Sequence, residues 1–147
     1  MSTTTRAIPS LDELLARIEE IRPILERNVG ETEANRRVAQ ENIDALAEAG
    51  AFKVTVPRRY GGFEMTVREK LLVSAAVGRS CGSTAWVVAL INVCNWMAGV
   101  LPEHAQADIF GANPEARVAG VLNPSADVRT ADGGYVVSGR WPWASGS

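Results

Sequence analysis

Residues 80–102 read SCGSTAWVVALINVCNWMAGVLP, a stretch without a charged side chain. Its length would be enough for a membrane span. However, Asn92 and Asn95 interrupt the apolar run, and Arg79 and Glu103 lie at its two ends. This combination favours a helix enclosed by other helices. We therefore expect a central helix that neighbours bury on nearly all sides, and no membrane span.

Amphipathic helices are predicted before this stretch. Ser10 and Glu13 form a capping-box pattern that opens a first helix. Pro23 is expected to bend or interrupt that helix, and Gly30 to end it. A second helix is predicted over residues 31–49.

A loop and two further helices complete the predicted helical region. Alternating apolar residues after Gly50 indicate an extended loop that crosses the domain to a turn at residues 60–62. Thr66 repeats the capping-box pattern and opens a third helix. Ser83 is predicted to cap the central helix, and a short helix is expected over residues 101–111.

From residue 113 onward, β-branched residues replace helical spacing. Strands are predicted over 117–122, 127–130 and 135–141. The expected fold class is therefore α+β: a disordered start over residues 1–9, an all-α domain over 10–112 and the first strands of an antiparallel β domain over 113–147. Such strands cannot satisfy their edge amides alone. We expect further sequence to complete the sheet; the alternative is a second chain.

Composition excludes several function classes. The 147 residues carry 15 Lys and Arg against 17 Asp and Glu, and 46% of them are hydrophobic, which suffices for a packed core. Because positive charge is not in excess, we expect no binding to nucleic acid or to a membrane surface. Cys81, Cys94 and the single histidine, His104, do not have zinc-site spacing, so no metal is expected. The sparse cysteines favour a cytoplasmic location.

Three motifs follow one another in an informative order. They are CGSTAW at residues 81–86, the Asn95-Trp96 pair, and GGYVVSGRWPWASG at residues 133–146. This order resembles the acyl-CoA dehydrogenase superfamily over nearly the whole chain. Within it, the motifs are most similar to the oxygenase component of two-component flavin-dependent monooxygenases, which hydroxylate phenols and steroid-derived aromatic rings.

The resemblance implies an architecture and a set of partners. The helical domain would be followed by a middle β domain and a C-terminal four-helix bundle that supplies the acid or base. The whole enzyme would accept reduced flavin, FMNH2 or FADH2, from a separate flavin reductase and hydroxylate a small organic, aromatic substrate. Relatives of this type are commonly homotetramers.

The resemblance also implies cofactor-binding residues. Trp143 would form a wall of the flavin site, Ser145 would place a hydroxyl near the N5 edge, and main-chain atoms of Val121 to Asn123 would meet the flavin. Alternate residues of a strand face the same side, so Trp143 and Ser145 could address one flat ring together. Alternatively, both tryptophans of the motif serve packing and Ser145 is a turn residue.

Substrate-pocket candidates lie on the central helix. Asn92, Asn95 and Gly99 share one helix face, which could border a pocket or could form hydrogen bonds inside a core. Cys94 stands where aromatic-hydroxylating relatives often have a histidine. No residue of the chain is assigned a catalytic role.

Two other functions remain open from the sequence. The first is an acyl-CoA dehydrogenase that passes electrons to a carrier protein. The segment after Asn123 lacks the Thr-Glu-Pro and Gly-Ser-Asp pattern of those enzymes, which argues against it. The second is a non-catalytic helical interaction module whose partner covers Trp141 and Trp143.

Overall fold

A computed structural model describes residues 8–123 and 126–147. Its α-helices are α1 (Leu11–Arg27), α2 (Val29–Asn35), α3 (Gln40–Ala49), α4 (Val67–Gly78), α5 (Gly82–Gly99) and α6 (Glu103–Gln106). A π-helical turn, Ala107–Gly111, follows α6. Two strands, β1 (Ala126–Ala131) and β2 (Gly134–Gly139), form an antiparallel hairpin. A helical region followed by antiparallel strands confirms the predicted fold class.

The two capping boxes are confirmed. Ser10 Oγ accepts from the amide of Glu13, and the Glu13 carboxylate accepts from the Ser10 amide at the start of α1. Thr66 and Glu69 form the same pair of bonds at the start of α4. Each box satisfies amides that the first turn of a helix leaves unpaired.

The predicted course from the first helix to the second is wrong in two respects. Pro23 does not interrupt α1, which continues to Arg27 with Leu25 fully buried, while a bend at Pro23 stays a prediction. Gly30 does not end a helix but lies inside α2. Burial of the apolar face of α1 thus holds a helical turn that proline alone would weaken.

The predicted helix over residues 31–49 is in fact two helices. Arg36 has a left-handed conformation, φ 49°, and ends α2. Thr32 Oγ1 then accepts from the amide of Ala39, which fixes the turn into α3. Gly50, at φ 92°, ends α3 as predicted.

The loop between α3 and α4 crosses the domain, as predicted, and is held by its own backbone bonds. The amides of Phe63 and Met65 donate to the carbonyls of Lys53 and Val54. A Cβ on Gly62 would overlap the carbonyl oxygen of Val56, so only glycine fits there. The loop is therefore a fixed part of the core.

The main core lies between α1, α3, α4 and α5 and the loop after α3. Its fully buried residues include Leu14 of α1, Leu46 of α3, Val73 of α4 and Val88 of α5. A smaller cluster joins Val56, Ala98 and Phe110. Together the two clusters fix α5 against the loop along most of its length.

The predictions for α5 need two corrections. Its N-cap is Cys81, whose sulfur accepts from the Thr84 amide, and not Ser83. The helix is also not buried on nearly all sides, because Trp86 and Trp96 are at least half exposed. One side packs on the core, and the other is open in the part of the chain that the structure describes.

The predictions for the β region are partly confirmed. β1 and β2 match the second and third predicted strands, although β2 ends at Gly139 and does not reach Trp141. Residues 117–122 do not form the predicted strand; the Val118 amide donates instead to the side chain of Asn95. The side chains of the hairpin are nearly all exposed.

Residues 1–7 of the predicted disordered start, and the Pro124-Ser125 pair next to Asn123, lie outside the described residues. No helix in the described ranges is both long enough and apolar enough to cross a bilayer.

Candidate functional site

Helix α5 holds the loop that follows α3. Asn92 donates through Nδ2 to the carbonyls of Ala51 at 2.8 Å and Val88 at 2.9 Å. Asn95 donates through Nδ2 to the carbonyl of Phe52 at 2.9 Å. Both amide side chains are fully buried. Both side chains therefore fix the loop by hydrogen bonds, as in the packing alternative, although Asn92 Oδ1 has no hydrogen-bond partner among the described residues.

The same helix fixes the segment that leads to the hairpin. Asn95 Oδ1 accepts from the Val118 amide at 3.0 Å. A Cβ on Gly120 would lie 2.9 Å from Cys94 Sγ, so the backbone at residue 120 passes directly over the cysteine. The segment at residues 118–120 thus packs on Asn95 and Cys94 and covers them.

Cys94 is not poised as a nucleophile. The side chain is free but buried, and this desolvation raises the pKa of its thiol above the ordinary value. A protonated thiol is a weak nucleophile. The chemistry open to Cys94 at neutral pH is packing and weak hydrogen bonding.

The end of the chain also lies on α5, nearer to its N-terminus. Trp86 Nε1 donates to Ser145 Oγ at 3.2 Å. Gly146 has φ +89°, and a Cβ on it would lie 3.0 Å from Ile91 Cγ1. The close contact and the left-handed backbone both require glycine at this position.

A cleft of about 880 Å³ opens between this terminal segment, α5 and the turn from α2 to α3. Its lining combines apolar side chains, a hydroxyl and guanidinium groups. The lining includes Trp86, Val87, Ile91, Arg36, Arg37, Arg117 and Ser145. Its volume is in the range of small-molecule sites.

The electrostatics of the cleft favour an anionic group. Arg36, Arg37 and Arg117 line it together with a single acidic side chain, Glu33. Among the described residues, no carboxylate lies within 4 Å of these guanidiniums. The Arg117 guanidinium stacks 4.7 Å from the centre of the Phe52 ring. The cleft therefore offers apolar contact to a flat ring and unpaired positive charge to an acidic substituent.

The structure brings together only part of the predicted cofactor site. Ser145 lines the cleft, whereas Trp143 is 92% exposed and Asn123 is exposed outside the lining. The strand argument for pairing Trp143 with Ser145 is wrong: both lie beyond β2, and Trp143 has φ +66°. Their contacts with a flavin remain predictions.

Asn92, Asn95 and Cys94 also lie outside the lining of this cleft. A second, smaller depression of about 420 Å³ includes Gly99 and Trp96. A role for the three residues in a substrate pocket remains a prediction.

Sequence reasoning missed Trp86 and Arg117 as site residues. The signal for Trp86 is its place in the CGSTAW motif at residues 81–86. In the described residues, no cluster of three or more His, Cys, Asp or Glu side chains could hold a metal ion.

Comparison with known proteins identifies the family. Residues 13–108 match the family described as acyl-CoA dehydrogenase, N-terminal domain. The chain belongs to this family. The match confirms the resemblance seen in the motifs and spans α1 to α6 of this acyl-CoA dehydrogenase-type domain.

Two relatives of this acyl-CoA dehydrogenase-type chain have the names of oxygenases. The oxygenase subunit HsaA of a flavin-dependent monooxygenase from Rhodococcus jostii (strain RHA1) is 33% identical over 135 residues, 90% of this chain and 35% of the relative. The oxygenase component of an FADH2-dependent resorcinol hydroxylase from Rhizobium sp. (strain MTP-10005) is 35% identical over 133 residues, 90% of this chain and 32% of the relative.

The crystal structure of 3-HSA hydroxylase from Rhodococcus sp. RHA1 superposes with a TM-score of 0.88 at 32% identity. The superposed region covers 93% of this chain and 36% of the 3-HSA hydroxylase chain. The chain thus spans about one third of the length of the relatives that it matches.

Proposed function

We propose that this chain is the N-terminal part of the oxygenase component of a two-component flavin-dependent monooxygenase, which uses reduced flavin and O2 to hydroxylate an aromatic substrate. The observation that carries the proposal is the cleft beside α5, where Ser145 and Trp86 meet next to Arg36, Arg37 and Arg117. The names of the reported relatives support the same class of reaction.

The residues of the cleft fit a flavin. Val87, Ile91 and the Trp86 ring offer apolar contact to a flat tricyclic ring. Ser145 offers a hydroxyl, and Arg36 and Arg117 offer charge to a phosphate. When bound, reduced flavin supplies the reaction with O2 from which the hydroxylating oxygen comes.

The chain's own residues would bind and orient. Ser145 would hold an edge of the ring through its hydroxyl, and the α5 side chains would exclude water from one side. We assign no general acid or base among the described residues: His104 is exposed on α6, and burial raises the pKa of the Cys94 thiol, which lies outside the cleft lining. The resemblance implies that the group for proton transfer comes from the C-terminal four-helix bundle.

Several partners belong to the same proposal. The two-component designation of such oxygenases implies a flavin reductase that delivers reduced flavin by diffusion. FADH2 is favoured over FMNH2 by the name of the resorcinol hydroxylase relative. A homotetramer and a cytoplasmic location complete the proposal; the two free cysteines agree with a reducing compartment.

The test uses the complete reading frame, anaerobically reduced FAD and 18O2, with resorcinol and 4-hydroxyphenylacetate as probe substrates. We expect a product that contains one 18O atom, detected by mass spectrometry. Ser145→Ala should lower the yield, whereas Ser138→Ala, which removes a hydroxyl from the exposed strand β2, should not. Reduction of bound FAD by an acyl-CoA without O2, and no labelled product, would establish the dehydrogenase alternative instead.

A further inference from the structure

Trp86 and Ser145 are 59 positions apart and are joined by one hydrogen bond whose direction is unambiguous. Indole Nε1–H can only donate, so Ser145 Oγ is the acceptor at 3.2 Å. A serine hydroxyl has one proton and two acceptor positions. After this bond forms, the proton and one lone pair remain, and the proton cannot point toward Trp86.

The backbone of Ser145 is fixed independently of Trp86. Its amide donates to the carbonyl of Trp143 at 2.9 Å, and the next residue, Gly146, is pressed against Ile91. The freedom that remains at Ser145 is the rotation of its side chain and of its hydroxyl. The bond from Trp86 restricts both of these rotations.

We propose that Trp86 is a positioning residue for Ser145: its indole N–H holds the hydroxyl in one rotamer, so that the free proton and lone pair are presented to a ligand in the cleft. This inference rests on the proposed function, because that ligand is the flavin. It assigns Trp86 a role other than packing, which agrees with its 60% exposure on the cleft side of α5.

The main test is a double-mutant cycle in the complete protein, read out as the dissociation constant of FAD, oxidised and anaerobically reduced. Trp86→Phe keeps a ring but removes the donor, and Ser145→Ala removes the acceptor. We expect each single variant to bind FAD about three- to tenfold more weakly, as for the loss of one hydrogen bond. The double variant should bind no more weakly than Ser145→Ala alone.

Matched controls separate positioning from general effects of the substitution. Trp96→Phe makes the same change on the same helix at a half-exposed tryptophan outside the cleft, and should change the dissociation constant less than about twofold. Ser145→Thr retains the hydroxyl and should restore most of the affinity that Ser145→Ala loses.

A second measurement does not depend on flavin or on Trp86→Phe folding. Ultraviolet resonance Raman spectra of the flavin-free protein contain an indole band that reports hydrogen bonding of N–H. Ser145→Ala should shift the part of this band that belongs to one tryptophan, and Ser145→Thr should not.

The outcomes distinguish the two proposals. If the wild type binds FAD and hydroxylates, but the losses of Trp86→Phe and Ser145→Ala add up or the Raman band does not move, the positioning role is refuted and the proposed function stands. If the wild type binds no FAD in either oxidation state, the proposed function fails and this inference fails with it.

Discussion

Asn95 shows how one side chain can connect separate parts of a fold. It donates to the Phe52 carbonyl, accepts from the Val118 amide, and is fully buried. Asn95→Leu keeps a similar volume but leaves both backbone groups without their partner. We expect the free energy of unfolding in urea to fall by about 2 kcal/mol, the cost of an unpaired buried polar group.

Asn35→Leu is the control, because Asn35 is exposed at the end of α2 and its side chain forms no hydrogen bond within the described part of the chain. It should change the free energy of unfolding by less than about 0.5 kcal/mol. If Asn95→Leu instead unfolds like the wild type but loses aromatic substrate binding, Asn95 belongs to a substrate pocket and not to the packing of the loop.

At this scale the sequence predicted residue types better than roles. The shared face of Asn92 and Asn95 was predicted from spacing, yet spacing is the same for a pocket and for a buried hydrogen bond. Only the positions of the loop carbonyls decide between them. The orientation of Trp143 depends on its left-handed backbone, φ +66°, which alternation along a strand does not predict.

Helix α4 provides a test at the scale of the element. Thr66→Ala removes the hydroxyl that caps the amide of Glu69, and we expect a loss of about 1 kcal/mol in unfolding free energy, typical of N-cap residues. Circular dichroism during urea unfolding measures it. Thr66→Ser should be nearly neutral, because it retains the capping oxygen. A loss equal to that of Thr66→Ala would contradict the capping role.

The effect of Thr66→Ala should also depend on pH. Hydrogen bonds from the Thr66 hydroxyl and amide lower the pKa of Glu69. A lowered folded-state pKa gives stability that is present above the unfolded pKa and is lost as the pH falls through the folded pKa. The stability difference between wild type and variant should therefore shrink in that acidic range; a difference independent of pH would contradict this assignment.

The terminal segment is a second element that can be tested. Gly146→Ala forces a Cβ to 3.0 Å from Ile91 and strains a left-handed backbone, so Ser145 should move away from Trp86. Acrylamide should then quench Trp86 fluorescence more strongly, and FAD should bind more weakly. Gly133→Ala is the matched control: it has φ +75° but no atom within 4 Å of the added Cβ. Equal effects of the two variants would show that backbone strain, and not docking on α5, is responsible.

Elements were predictable where their signals are local. Both capping boxes lie within four residues and were found. The break between α2 and α3 was missed because it depends on a contact between Thr32 and Ala39. The predicted strand at 117–122 is wrong because the Val118 amide bonds to the side chain of Asn95 on α5, and alternation along the sequence cannot identify that partner.

For the molecule as a whole, the hairpin and the helical region differ in how completely they are buried. Helices α1, α3, α4 and α5 share a core, whereas Val128, Tyr135 and Val137 of the hairpin are more than half exposed. A two-stranded hairpin without a covered face is marginal in water. The chain spans about a third of the length of its relatives. Under the proposed function, further sequence would cover the hairpin.

Hydrogen–deuterium exchange tests this division. In a polypeptide of residues 1–147 we expect slow exchange for α4 and α5 amides that face the core, and exchange of the β1–β2 amides that approaches the unfolded rate. In the complete reading frame, the same hairpin amides should become protected by at least about tenfold, because further strands would pair their edges and cover Val137. Strong protection of the hairpin in residues 1–147 alone would mean that a second copy or another partner covers it, which would favour the interaction-module hypothesis over an oxygenase built from one longer chain.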